Sequence, residues 1–584
     1  MRSVEIRQKF LKFFEKNGHT IVPSSSLIPP DPSVLFTSAG MQQFKPYYLG
    51  QPCPYGKNVA SCQKCLRTSD IEEVGKSPRH LTFFEMLGNF SFGGYFKEGA
   101  IALAFEFLFK ELGLDPKDFL FTVFAGDQEI PPDEESPKIW QKLGIPKEKI
   151  KKCSREDNFW GPTGKEGPCG PTTEIHFAPT GKLEEGIEIW NLVFNEYYQD
   201  ENKKLTPLTL KGVDTGMGLE RLALVLQKKQ TVFETDLFFP IINLLTSKPQ
   251  PPTSHFSPLT SFWIIADHLK AAVFLISEGI FPSNLERGYV LRRLLRRAIL
   301  HGRLLDLPKD FLIQPAQKII EIYQGVYPEL KSKETEILTV IQKEQEKFEK
   351  TLKQGLKKFE KIATRAKERD NLILGEDAFH LFDTFGFPLE LTVEMAKEKN
   401  LKVDLEGFKK AFEKHRVISR AGAERKFGGI GYLPSKEAVK LHTATHLLHS
   451  ALRKILGEKV RQMGSDITPE RLRFDFSFER KLTKEELEEV QRLVQQKIDE
   501  GLSVERLEMP LKEALAMGAL AFFKEKYPEW VSVYKIWNPK TGEIFSLEIC
   551  AGPHVQNTKE LGTFQIVKEE SAGAGVRRLR AILK

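Results

Sequence analysis

The chain has 584 residues, of which 41% are apolar and 28% charged, the ordinary balance of a globular protein with room for three to five domains. Its net charge of +7, from 86 basic and 79 acidic residues, permits a nucleic-acid partner without establishing one. No apolar run reads as a membrane span and no secretion signal opens the chain, so the six scattered cysteines point to a reducing cytoplasm.

The chain opens on MRSVEIRQKFLKFFEKNGH, an amphipathic helix in which Val4, Phe10, Leu11, Phe13 and Phe14 are interrupted by charges. Cys62 and Cys65, with Cys53 upstream, form a single CxxC without a second pair and read as buried thiols rather than as a metal site. TFFEMLGNFSFGGYFK, at 82–97, holds five phenylalanines and a tyrosine around close-packing glycines. It can be an aromatic hairpin inside a core, or an aromatic floor under a flat, charged ligand such as a nucleotide.

EIWNLVFNEYY at 188–198 alternates partly and reads as a buried strand. GVDTGMGLERLALVLQ at 212–227 reads as a strand, a glycine turn and a helix. Strands and helices do not alternate regularly, which predicts an α+β fold rather than a doubly wound parallel sheet. Arg67 before the aromatic stretch and Arg221 after the glycine turn could converge on a triphosphate, because a guanidinium fork matches phosphate oxygens. Asp214, at the strand end, could hold an ammonium group. For any one of these arginines taken alone, a surface salt bridge is the better explanation. There is no GxxxxGK[ST] and no GxGxxG, so a bound nucleotide would lie on an antiparallel sheet with aromatic stacking.

KPQPPTSHFSPLTS at 248–261 reads as a linker. Beyond it the chain turns helical. Arg287, Arg292, Arg293, Arg296, Arg297 and Arg303 recur three and four apart, a basic stripe along one helix. Residues 333–369 form a long amphipathic helix with a seam of Ile337, Ile341, Phe348, Leu352, Leu356 and Phe359. A glycine-rich connector follows at 420. In the last segment LHTATHLLHSALRKILG reads as a helix, RLRFDFSF (471–478) as a strand and KLTKEELEEVQRLVQQKIDEG as a helix. His442 and His446 share one side of the first of these helices. Cys550 and His554 flank a Gly-Pro turn. Three imidazoles and a thiolate suit zinc. The bland reading is helix histidines and a buried thiol.

Together these stretches closely resemble the alanyl-tRNA synthetases, a family of class II aminoacyl-tRNA synthetases. SSSLIPP and LFTSAGMQQFK resemble the first class motif; Arg67 with RHLTFFEMLGNFSFGGYFK resembles the second, and DTGMGLERL the third. ADHLKAAVFLISEGIFPSNLERGYVLRRLLRRA and LFDTFGFPLELT resemble the tRNA-recognising region, and HTATHLLHSALR with CAGPHVQNTKELGTFQIVKEESAGAGVRRLRAI resembles the editing domain.

The resemblance implies a class II antiparallel sheet flanked by helices in a catalytic domain at 1–240. It implies a helical tRNA-recognition domain at 241–419, a linker at 420–438 and an α+β editing domain at 439–584. It implies an ATP-dependent alanine–tRNA ligase that activates L-alanine, charges tRNA(Ala) and hydrolyses Ser- and Gly-tRNA(Ala). Arg67, Asp214 and Arg221 would be catalytic; Arg67, His80, Phe84 and Arg221 would bind ATP with Mg²⁺. Trp160, Asn191, Asp214 and Gly216 would bind alanine. Asn284 and Asp383 would read the G·U pair of the acceptor stem, Gln462 would serve the editing pocket, and His442, His446, Cys550 and His554 would hold Zn²⁺. The expected form is a cytoplasmic monomer without a membrane partner. It departs from the family pattern in a shortened loop after Arg67, and in lacking the editing β-barrel and the C-terminal domain.

Overall fold

The computed structural model describes residues 1–584 except 32, 247–257, 285, 369, 414–434, 522–529, 551 and 574. Most of both predicted connectors, at 248–261 and 420–438, lies outside the described residues. The chain forms two compact units, Met1–Val403 and Asp404–Lys584.

The first unit is organised on a mixed sheet. Its strands are β1 (Thr20–Ile21), β2 (Asn58–Leu66), β3 (Phe83–Phe92), β4 (Phe119–Phe124), β5 (Ile150–Cys153), β6 (Phe159–Trp160), β7 (Gly167–Phe177), β8 (Ile187–Gln199) and β9 (Leu205–Gly218). They run in the order β1-β2-β3-β9-β8-β7-β4-β5, with β6 on β7. The pairs from β2 to β4 are antiparallel, and only the outer pairs β1·β2 and β4·β5 are parallel.

Strand period separates two faces. On β8, Trp190 points to the side where Phe10 and Phe14 of α1 (Ser3–Lys16) and Phe107 close around it. Asn191 and Val193 face the opposite side. On β3 the odd-numbered face meets helices. Phe83 stacks on Phe274 with ring centroids 4.0 Å apart, and Glu85 takes both forks of Arg7 from α1. The even-numbered Phe84, Met86, Phe90 and Phe92 pack in one cluster with Met41, Phe44 and Tyr48. Cys62 and Cys65 lie three apart on β2 and so fall on opposite faces, Cys62 against Glu85 and Cys65 in the aromatic cluster. A strand cannot bring both thiols to one ion.

α2 (Leu219–Leu226) follows β9 directly. α3 (Pro258–Ser277) is long and apolar enough to cross a membrane, which the sequence reading did not anticipate, but 83% of its apolar window is buried. Its polar residues are bonded within the unit: Asp267 accepts from the Thr82 amide at 2.9 Å, and Lys270 reaches Glu220 of α2 at 2.7 Å. An unpaired lysine in lipid would carry a large penalty, and this one is paired.

α4 (Glu286–Leu304) carries the arginine stripe, but much of it is used internally rather than offered to solvent. Arg296 pairs with Glu344, Arg297 with Glu394, and Arg293 with Glu72. Arg287 donates to the Leu35 carbonyl at 2.7 Å. α5 (Glu334–Lys367) buries the predicted seam apart from the half-buried Leu356. Gly355 takes its place in the core, where an added Cβ would meet Phe387 at 2.3 Å.

In the second unit α6 (Lys436–Leu456) and α7 (Lys484–Asp499) pack with a four-stranded sheet. A small parallel pair in the first unit, β10 (Leu372–Ile373) with β11 (Lys402–Val403), precedes its strands in the chain. β12 is Gln462–Thr468, β13 Arg471–Ser477, β14 Ser503–Pro510, β15 Trp530–Trp537, β16 Ile544–Ile549, β17 Phe564–Gly573 and β18 Val576–Leu583. The four-stranded sheet runs β12-β13-β18-β17, and a three-stranded sheet runs β14-β15-β16. Leu472, Phe474 and Phe476 alternate inward on β13, as the sequence pattern predicts. Thr483 and Glu486 close a reciprocal capping box that starts α7.

Candidate active site and metal centre

The antiparallel register lays short rows of side chains across one face of the first sheet. Glu174, Asn191 and Gly216 stand side by side on β7, β8 and β9; the next row is Thr172, Val193, Asp214 and Phe90. Above them lies a cavity of about 260 Å³. Its lining includes Arg67, Phe84, Trp160, Asn191, Asp214, Gly216 and Arg221, seven residues singled out in the sequence. His80 lies half-buried just outside the lining, between Arg79 and Leu81, which are part of it. Burial, with Arg221 and Arg79 nearby, disfavours its imidazolium.

The β2–β3 hairpin places the Arg67 guanidinium 5.1 Å from the Phe84 ring, and Arg67 Nε donates to the Ser38 carbonyl. Arg221, in the first turn of α2, donates to both the carbonyl and the carboxylate of Glu188, at 3.0 and 2.9 Å. Burial would raise the Glu188 pKa, but Arg221, His176 and Arg67 hold it below the ordinary range. Among the described residues Asp214 has no such cation. Burial pushes its carboxyl up to about 7, and a ligand ammonium beside it would restore the carboxylate. Gly216 keeps this row open: a Cβ there would lie 2.9 Å from the Met86 sulfur and displace that flexible side chain.

Sequence reasoning passed over Glu174 and Glu188, which also line this cavity. Glu174 Oε1 accepts from Asn191 Nδ2 at 2.6 Å, and Oε2 lies 3.0 Å from His176 Nε2. The run TTEIHF carries the signal, two polar residues two apart on a strand and hence on one face.

Elsewhere in this unit, exposed Asn284 accepts from Arg292 of α4. The Arg292 guanidinium lies 5.6 Å from the Tyr289 ring, which lies 6.5 Å from the ring of Phe382. Phe382 is the neighbour of exposed Asp383. Tyr289 thus stands between Arg292, the partner of Asn284, and Phe382, on the helix that carries Asp383.

In the second unit the metal-type residues come together. One ligand atom from each of His442, His446, Cys550 and His554 falls within 4.8 Å of all the others. Cys550 Sγ lies 3.4 Å from His442 Nε2 and 3.6 Å from His554 Nε2. The far ring nitrogens meet oxygens: His442 Nδ1 the Pro553 carbonyl at 3.1 Å and His554 Nδ1 the Thr443 hydroxyl at 3.2 Å. His446 Nδ1 lies 3.6 Å from Glu548, which also bonds His449. Such outer partners orient imidazoles toward a metal. Burial alone would raise the Cys550 thiol, yet the three histidines hold it far down as thiolate, the form that ligates. Gln462, half-buried at the start of β12, donates to Ser465 Oγ.

The family described as tRNA synthetases class II (A) matches residues 5–456. The threonyl and alanyl tRNA synthetase second additional domain matches residues 531–580. The alanine–tRNA ligase of Borreliella afzelii (strain PKo) is 47% identical over 599 residues, covering 99% of either chain. That of Treponema pallidum (strain Nichols) is 45% identical, covering 100% of this chain and 98% of its own. The alanine–tRNA ligase of Thermotoga sp. (strain RQ2) is 41% identical; there the alignment extends over 710 residues and covers 80% of that protein.

Proposed function

We propose a division of labour for these residues from one premise: the chain belongs to the alanyl-tRNA synthetase family. Its activity is that of an alanine–tRNA ligase. Alanine and ATP give alanyl-adenylate and pyrophosphate, the alanyl group passes to the 3′ end of tRNA(Ala), and mischarged tRNA is hydrolysed in the editing domain.

In the first step the alanine carboxylate attacks the α-phosphate in line and pyrophosphate leaves. Arg67 holds the α-phosphate and the alanine carboxylate together; Arg221 exchanges Glu188 for the γ-phosphate. Charge is spread over guanidinium groups and the Mg²⁺ that enters with ATP, so the chemistry is positioning and electrostatics with no protein nucleophile. Phe84 stacks on adenine, with His80 at the edge of that site. Asp214 and Asn191 hold the ammonium, and Trp160 and Gly216 keep the pocket small. The convergence of these side chains on one cavity carries the reading.

Asn284 and Asp383 read the G·U pair of the acceptor stem, supported by the exposure of both side chains. The functional blocks are 1–240 for aminoacylation, 241–419 for tRNA recognition and 439–584 for editing. A pocket for alanine admits glycine, and an added hydroxyl is rejected by only about 10²-fold, so a second, hydrolytic site has a physical rationale. There His442, His446, Cys550 and His554 hold Zn²⁺, with Gln462 in the same pocket. The ion would supply a Lewis-acid anchor for the tRNA end or a water. The protein works as a cytoplasmic monomer.

The test is alanine-dependent ATP–pyrophosphate exchange beside deacylation of Ser-tRNA(Ala) and metal analysis. Arg67→Ala and Arg221→Ala should each cost about 100-fold or more in exchange. Cys550→Ala should lose zinc and deacylation while keeping exchange. Intact exchange in Arg221→Ala, or wild-type protein that deacylates without zinc, would overturn the assignments.

A further inference from the structure

Asn191 is the least constrained of the groups assigned to the ammonium. Its amide can present oxygen or nitrogen to the cavity by a half-turn about χ2, with almost no change of shape. Only the oxygen can accept from an ammonium. Something must therefore choose between the two.

The neighbours on the sheet make that choice on one side only. Across β9 the partner of Asn191 is Gly216, which has no side chain to bond it. Across β7 the partner is Glu174. Its Oε1 accepts from Asn191 Nδ2 at 2.6 Å, while Oε2 is occupied by His176 Nε2 at 3.0 Å. Asn191 Oδ1 is left buried, with no hydrogen-bond partner among the described residues. A buried amide oxygen without a partner is costly, by about 1–3 kcal/mol. Asn191 and Glu174 both line the cavity that Asp214 also lines.

We propose that Glu174, braced by His176, is a positioning residue for amino-acid recognition: it holds the Asn191 amide so that its oxygen, and not its nitrogen, receives the ammonium of alanine. This rests on the assignment of Asn191 to the ammonium. His176 has a defined part in it. Whether its Nε2 donates to Oε2 or accepts a proton from it, Oε1 stays free to accept from Asn191. The amide is therefore held the same way in either protonation state of the pair. Burial favours the protonated form of Glu174, against the hydrogen bond from His176, and this arrangement tolerates both.

The experiment measures KM for alanine and for ATP, with kcat, in pyrophosphate exchange. The variants are Glu174→Met, Glu174→Gln, His176→Ala and Asn191→Ala, each checked for an unchanged thermal melt. Glu174→Met keeps the volume and removes the acceptor. It should raise KM for alanine about 10- to 100-fold, the worth of one charge-assisted hydrogen bond, with KM for ATP within about threefold. Glu174→Gln retains an acceptor and should recover most of that loss; His176→Ala should fall between Gln and Met. An alanine KM within twofold of wild type in Glu174→Met, alongside a raised one in Asn191→Ala, overturns the positioning role alone. An unchanged alanine KM in Asn191→Ala overturns the ammonium assignment beneath it. Equal losses for alanine and ATP, or no recovery in Glu174→Gln, mark Glu174 as structural and also overturn the proposal.

Discussion

Replacing Lys270 by methionine tests whether the buried ion pair beneath the active site is a structural necessity. Lys270 Nζ lies 2.7 Å from Glu220, and the two side chains are 0% and 1% exposed. Rings of Phe83, Phe238 and Tyr323 stand 5.2, 4.5 and 5.2 Å from the ammonium. At this separation and an effective dielectric of about 20 the attraction is about 6 kcal/mol. Desolvation of both groups offsets most of it, so the pair contributes little net stability. Removing one partner is another matter. Methionine fills the aromatic cage but strands Glu220, at a cost of about 3–5 kcal/mol.

The sign of the pH dependence follows. Burial raises the pKa of Glu220, and Lys270 opposes it. Glu85, whose backbone amide bonds Glu220, is itself held charged by Arg7 and adds to the rise. Without Lys270 the folded pKa climbs further above its unfolded value. The penalty then grows as pH rises through that interval, at up to about 1.4 kcal/mol per unit, and shrinks toward pH 5. Urea unfolding followed by tryptophan fluorescence at pH 5, 6.5 and 8 reads it. Lys270→Met with Glu220→Gln removes both charges and should recover most of the loss. A single variant within 1 kcal/mol of wild type at pH 8 (below the range of about 3–5 for a broken buried pair) would refute the reasoning. So would a pH-independent deficit, or a double variant no better than the single one.

Asn284→Ala and Asp383→Ala should weaken discrimination between G·U and G·C acceptor stems in aminoacylation while leaving pyrophosphate exchange close to wild type; equal loss in both assays would mark a structural role. Gly216→Ala would set a Cβ 2.9 Å from the Met86 sulfur. Because a thioether can swing aside, stability should fall by less than about 1.5 kcal/mol. KM for alanine should rise about tenfold, the order of one misplaced methyl in a small pocket. An unchanged alanine KM would show that Gly216 does not border the substrate.

The sequence determined by itself whatever depends on local period and on residue type. Alternation along 471–478 predicted the inward face of β13, and a four-residue spacing put His442 and His446 on one side of α6. Aromatic and glycine content marked the stretch 82–97, which holds β3, but two readings stayed open. Tertiary structure divided the stretch by face: Phe84 lines the cavity, while Phe83 stacks beneath on Phe274. Other features depended on partners that local pattern cannot name. The arginines of α4 were legible as a stripe, but the carboxylates that neutralise them come from Glu72, Glu344 and Glu394, far away in the chain. Pro258–Ser277 holds polar groups whose partners, Thr82 and Glu220, lie far away in the chain. Glu174 escaped notice for the same reason. Its place opposite Asn191 is set by the β7–β8 register, which irregularities at Cys169/Thr172 and Ile175/His176 shift. A one-residue slip in a strand exchanges its two faces, so long-range pairing alone decided which carboxylate would stand beside the amide.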